Sequence, residues 1–157
     1  MKITIIGTPT LPDLLDPINL FNEVFQKFEK GPDKYLYDVS STNKKIHNRK
    51  DTTLFKVNNG SRLIAAAIGY ERYSSYFHIW RIAVKKVFRG QGIGSQIYEE
   101  IEKFAKKKGY KGVTINTNNR YRLNLELLIK RGYEIYDVNN RGKYVNDPKI
   151  MLKLGFN

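Results

Sequence analysis

Apolar positions in this chain alternate with polar ones or run unbroken in short stretches, and elsewhere recur at helical spacing. Residues 2–8 read as a strand, broken by Gly7 and Pro9. Asp16-Pro17 predicts a helix start, with Asp as N-cap and Pro at the first helical position. Ile18, Phe21, Phe25 and Phe28 then form one apolar stripe, and Gly31-Pro32 ends it. Residues 34–51 are polar and basic with weak patterning, and a short helix over residues 41–48 is the expected element there. Residues 52–57 and 62–70 read as strands joined at Asn58-Asn59-Gly60, a strong hairpin signal. A turn at Tyr73-Ser74-Ser75 leads into a further strand over 76–84.

The second half follows the same logic. Residues 92–108 read as a helix, because Ile93, Ile97, Ile101, Phe104 and Ala105 share one face while Glu99, Glu100, Lys103 and Lys106 share the other. Residues 112–118 form the next strand, parallel to 76–84 because a helix crosses between them. A shorter helix over 122–131 turns Leu123, Leu127 and Leu128 inward and ends at Gly132. Strands over 133–138 and 150–154 close the chain, with a basic loop between them. The pattern predicts an α/β fold: a mixed sheet with helices on both faces.

The turn Arg89-Gly90-Gln91-Gly92-Ile93-Gly94 joins the parallel strand to the long helix. Few side chains obstruct it, and the first amides of the helix, reinforced by its dipole, suit a phosphate or pyrophosphate. A dinucleotide fingerprint fails, because Ser95 or Ile97 stands where its third glycine belongs. A P-loop fails at both starts. The remaining pattern, Arg-x-x-Gly-x-Gly after a strand ending in Ala83-Val84, resembles the signature of the GNAT superfamily of acyl-CoA-dependent N-acyltransferases. Gly132-Tyr133 and Ile150-Met151-Leu152 are similar to further landmarks of that family, and the element order matches over essentially the whole chain.

The resemblance implies a mostly antiparallel twisted sheet of six to seven strands with one splayed parallel pair, and acetyl transfer from acetyl-CoA to a primary amine. It implies that Arg89, Gly90, Gln91, Gly92, Ile93 and Gly94 hold the pyrophosphate, with Ser95 close by. It implies that the backbone of Ile82, Ala83 and Val84 runs beside pantetheine. The asparagine that contacts pantetheine in the family has three counterparts, Asn118, Asn119 and Asn124, and Asn119 is carried forward. His78 occupies the position of a glutamate that serves some members as base, and an imidazole can accept a proton near pH 7. The family's tyrosine acid is replaced by Leu128, so the departing thiolate is left to water or to a neighbouring tyrosine, Tyr121 or Tyr133, with Tyr121 preferred at the entrance to the helix.

Composition adds limits. The 157 residues fit one domain with one core. There is no cysteine, which excludes disulfides, thiolate nucleophiles and cysteine–zinc sites. The two histidines lie far apart without metal-ligand spacing, so no metal is expected. No stretch reaches the length of a membrane span, and a cytoplasmic location is the expectation. The net charge of +13 fits either a solvated lysine-rich surface or an anionic partner such as RNA or an acidic protein. The oligomeric state is open, a homodimer included. A second reading is a GNAT-fold module that binds coenzyme A or RNA without turnover. A third, a nucleic-acid-binding domain, lacks a helix-turn-helix or RNP signature.

Overall fold

The computed structural model describes residues 1–25 and 38–157. A seven-stranded sheet runs β1 (Lys2–Gly7), β2 (Thr53–Asn59), β3 (Arg62–Arg72), β4 (Tyr76–Val84), β5 (Gly112–Asn118), β7 (Lys149–Gly155), β6 (Glu134–Asn139) in spatial order. Every neighbouring pair is antiparallel except β4–β5. Among the described residues four α-helices flank it: α1 (Leu11–Phe25), α2 (Val39–His47), α3 (Ile93–Lys107) and α4 (Arg122–Lys130). This is the expected mixed sheet with a single parallel pair.

Alternation along the strands divides the core in two. Phe55, Ala65, Ala67, Phe77, Ile79, Val113 and Ile115 face α3 and α4, where Ile93, Ile97, Tyr98, Ile101 and Leu128 meet them. Leu54, Ala66, Ile68 and Ala83 face α1 and α2, where Leu14, Ile18, Phe21 and Ile46 cover them. Each fully buried isoleucine on α3 contributes about 1.5–3 kcal/mol to holding the helix against the sheet.

Two expectations need correction. The first helix begins at Leu11, not at Asp16, and Pro17 lies inside it. The Thr10 amide and hydroxyl both donate to Asp13 Oδ2, at 2.8 and 2.7 Å, and this local cap starts the helix a turn and a half earlier. Leu123 is 81% exposed rather than inward, because the inner face of α4 is set by Asn124, Leu125 and Leu128. Phe28 and Gly31-Pro32 lie outside the described residues. The expected short second helix is present as α2, with Asp38 as its N-cap accepting from the Ser41 amide at 2.8 Å.

Candidate active site at the split between two parallel strands

β4 and β5 pair over only four residues, from Tyr76–Gly112 to Ile79–Ile115. Beyond that point the two strands separate. At the same level β4 carries a bulge: Ile68 faces Arg81 and Gly69 faces Ile79, which leaves Trp80 as the extra residue. The Lys85 amide donates to the Ile64 carbonyl at 2.9 Å. Antiparallel alternation then turns the backbone of Ala83 toward β3 and that of Ile82 and Val84 toward the opening. Ile82 and Val84 thus present backbone groups at the opening. Ala83 instead turns its backbone to β3, and its side chain lies in the core under α1.

The glycine loop sits at the end of β4. Gly90 and Gly92 have φ of +75° and +78°, a conformation that side chains disfavour, and open space lies where a Cβ would project. Gly92 is the N-cap of α3, and no side chain caps that end. The first intrahelical bond runs from the Gln96 amide to the Gly92 carbonyl at 3.0 Å. The amides of Ile93, Gly94 and Ser95 therefore precede the helical ladder and point outward. Gly94 behaves differently: its φ is not left-handed, and a Cβ there would make an ordinary contact with Leu127 of α4 at 3.6 Å. Arg89 folds back, its Nε donating to the Val84 carbonyl at 3.0 Å, and Gln91 Nε2 donates to the Val87 carbonyl at 3.2 Å. Ser95 Oγ accepts from Arg131 at 2.9 Å. The cradle fits an anion such as a pyrophosphate through backbone amides and the helix dipole, with Arg89 bracing the loop.

The remaining candidates divide. Asn118 Nδ2 donates to the Asp147 carbonyl at 3.1 Å, and Asn124 Oδ1 accepts from Tyr98 at 2.8 Å. Asn119 is exposed and lines a shallow cleft with Arg120, Arg122, Asn146 and Asp147. Tyr121 is the half-buried N-cap of α4 and meets Phe25 of α1 edge-on, with ring centroids 6.0 Å apart. It thus stands just past the free end of β5. Tyr133 is buried against Tyr98 and turns away from the opening. Leu128 is fully buried in the core.

His78 lies at the last paired turn of β4, 2% exposed. Its Nδ1 is 2.9 Å from Thr114 Oγ1, and its Nε2 is 3.4 Å from an Arg72 nitrogen. A guanidinium only donates, so Nε2 is the acceptor and Nδ1 carries the proton, donated to Thr114. Burial first, then Arg72, Lys149, Arg81 and Arg49, push its pKa down to about 3. A base needs a free lone pair and a pKa near the working pH, and His78 has neither here.

Sequence reasoning passed over two features. Asn116 Oδ1, on the strand face shared with Thr114, is buried and has no hydrogen-bond partner among the described residues. A group of cations from α2, β3, β4 and the β6–β7 connection gathers on that same face. Neither carries a motif, because each is assembled by the sheet from distant positions.

The sequence model of the Acetyltransferase (GNAT) family matches residues 16–132. No curated protein matches the chain by sequence. Among solved structures, an Elizabethkingia anophelis GNAT family acetyltransferase with acetyl-CoA bound is 24% identical over 98% of each chain, with a TM-score of 0.69. The Escherichia coli ribosomal-protein-S18-alanine N-acetyltransferase is 17% identical over 98% of this chain and 94% of its own, with a TM-score of 0.74. A Streptococcus pneumoniae GNAT acetyltransferase is 14% identical over 99% of this chain and 100% of its own, again at 0.74. The glycine loop, the split parallel pair and a family match over well more than half of the sequence together make this chain a member of the GNAT acetyltransferase family, and so an acyltransferase.

Proposed function

We propose that the protein transfers the acetyl group of acetyl-CoA to a primary amine at the split between β4 and β5. The observation that carries this is the uncapped α3 N-terminus behind a left-handed glycine loop, aligned with the outward backbone of Ile82 and Val84. The amides of Ile93, Gly94 and Ser95 bind the pyrophosphate, and the backbone of Ile82 and the Val84 amide pair with pantetheine as a short added strand. Asn119 is the remaining polar contact on the β5 side.

The acceptor attacks as the free amine, and its proton passes to solvent water rather than to His78. His78 instead ties β4 to β5 through Thr114 at the last residues before the split, which fixes where the opening starts. Tyr121 is placed to meet the departing thiolate. A thiolate is a tolerable leaving group without full protonation, so the reaction proceeds with Leu128 in the position of the family's usual acid.

The loop is tested with a pair of variants. Asn and Asp both tolerate positive φ and have the same shape, so Gly92→Asn and Gly92→Asp differ in charge alone. Calorimetry with coenzyme A should give at least tenfold weaker binding to Gly92→Asp than to Gly92→Asn. Equal affinities would remove the loop from the binding site. For Tyr121, the Phe variant should lower kcat several-fold at unchanged acetyl-CoA affinity, in an assay limited by chemistry. Equal turnover would return Tyr121 to a purely structural role.

A further inference from the structure

The face of the sheet that carries His78 also gathers positive charge from separate elements. Lys45 on α2 and Arg81 on β4 both lie over the Trp80 ring, 5.4 and 4.8 Å from its centroid. Arg49, just after α2, lies 5.3 Å from the centre of the Tyr70 ring, and Arg72 lies 4.5 Å from that of Tyr73. The Tyr70 and Tyr73 rings flank His78 at 5.7 and 6.3 Å. From the other side of the opening, Lys143 and Lys149 lie 5.3 and 5.7 Å from the centre of the Tyr144 ring. Lys149 pairs in register with Asn118, on the strand face shared with Thr114 and Asn116.

Among the described residues, no Asp or Glu lies within 4 Å of Lys45, Arg49, Arg72, Lys143 or Lys149. The nearby acids are engaged elsewhere, Glu71 with Lys50 and Asp147 with Arg120. The cations feel one another: Lys45 is held below the ordinary lysine range by burial first, then by Arg81, Arg49 and Lys143. An amine approaching this opening as an ammonium would be repelled unless it brought negative charge of its own.

We infer that the acceptor is an amine on an acidic peptide segment, whose carboxylates are received by Lys45, Arg49, Arg72, Lys143 and Lys149 on the face beside the β4–β5 split. This rests on the acetyl-transfer reading above. Several carboxylates are needed, because the cations are spread from α2 across β3 and β4 to the start of β7. A peptide spaces its charges along an extended chain and can span that width. Nucleic acid is the weaker fit. Base recognition by a basic surface relies on open aromatic faces, and here Trp80 and Tyr144 already carry protein cations on their rings.

The test uses three ten-residue peptides with one free α-amine each and with Asp/Glu-rich, neutral or Lys-rich flanks, at saturating acetyl-CoA, with release of free thiol as readout. The acidic peptide should be preferred over the neutral one by at least tenfold in kcat/KM, and the preference should fall as salt rises. The double variant Lys143→Glu/Lys149→Glu should lose most of it, whereas Lys107→Glu, an exposed charge on α3, should keep it. Trp80 is the single tryptophan, so its fluorescence reports acidic-peptide binding without turnover. Equal use of all three peptides, or an RNA oligonucleotide that changes Trp80 emission where the acidic peptide does not, would overturn the inference while leaving acetyl transfer intact. No thermal shift with acetyl-CoA and no thiol release with any peptide would bring down the acetyl-transfer reading, and this inference with it.

Discussion

At the scale of single residues, His78 shows how position overrides chemical type. An imidazole in a strand reads as a base because its intrinsic pKa is near neutrality, but what decides its role is what the fold packs against it. Buried beside Arg72 and Thr114, it stays neutral down to about pH 3, whereas in the unfolded chain it titrates near 6.5. Its folded pKa is depressed, so between those values the unfolded state binds more protons. Its contribution to stability is complete above about pH 6.5 and is lost as pH falls toward 3. Thermal melts from pH 7.5 to 4.5 should therefore show a fall in Tm that is shallower in His78→Gln; identical slopes would mean that other groups govern acid sensitivity. The rate of acetyl transfer should in turn show no titration that disappears in this variant. Gly112 makes a second case. A Cβ there would lie 2.1 Å from the Leu154 carbonyl oxygen, which is backbone and cannot step aside. Gly112→Ala should cost about 1–3 kcal/mol, measured by urea unfolding, through overpacking at the β5–β7 seam. Nothing in the local sequence marks this glycine, since the atom it must avoid belongs to a strand some forty positions away.

At the scale of elements, the strands, α3 and the turn before it were readable because periodicity, glycine placement and hairpin chemistry agree there. The start of α1 was not, because Asp16-Pro17 imitates a helix beginning while the actual cap is made by Thr10 and Asp13. The cation cluster was not readable either: its members are neighbours only once α2, β3, β4 and the β6–β7 connection are folded together. The link between α3 and α4 is equally non-local. Arg131, at the end of α4, donates Nε and a terminal nitrogen to the two Glu102 oxygens at 3.0 and 2.6 Å, and a further nitrogen to Ser95 at 2.9 Å. Both partners are largely shielded, so this pair is worth more than a surface bridge. Arg131→Ala should lower stability by about 1–3 kcal/mol. It should also weaken coenzyme A binding by loosening Ser95 in the first turn of α3. A double-mutant cycle with Glu102→Gln that gives no coupling would dissolve the link.

At the scale of the whole molecule, the net charge of +13 opposes compaction, so raising salt from low to moderate ionic strength should increase Tm until the repulsion is screened. A flat response would mean that the charge is balanced locally. The sheet itself is one hydrogen-bonded unit only in a formal sense. Four register pairs between β4 and β5 join a four-stranded half to a three-stranded half. That junction leaves a signature in amide exchange. Along β4 beyond the bulge, the Ala83 amide is held by β3 and should exchange slowly, while those of Ile82 and Val84, aimed at the opening, should exchange quickly. Deuterium uptake would thus alternate residue by residue within one strand, and a bound pantetheine arm would erase the alternation by turning a sheet edge into a sheet interior.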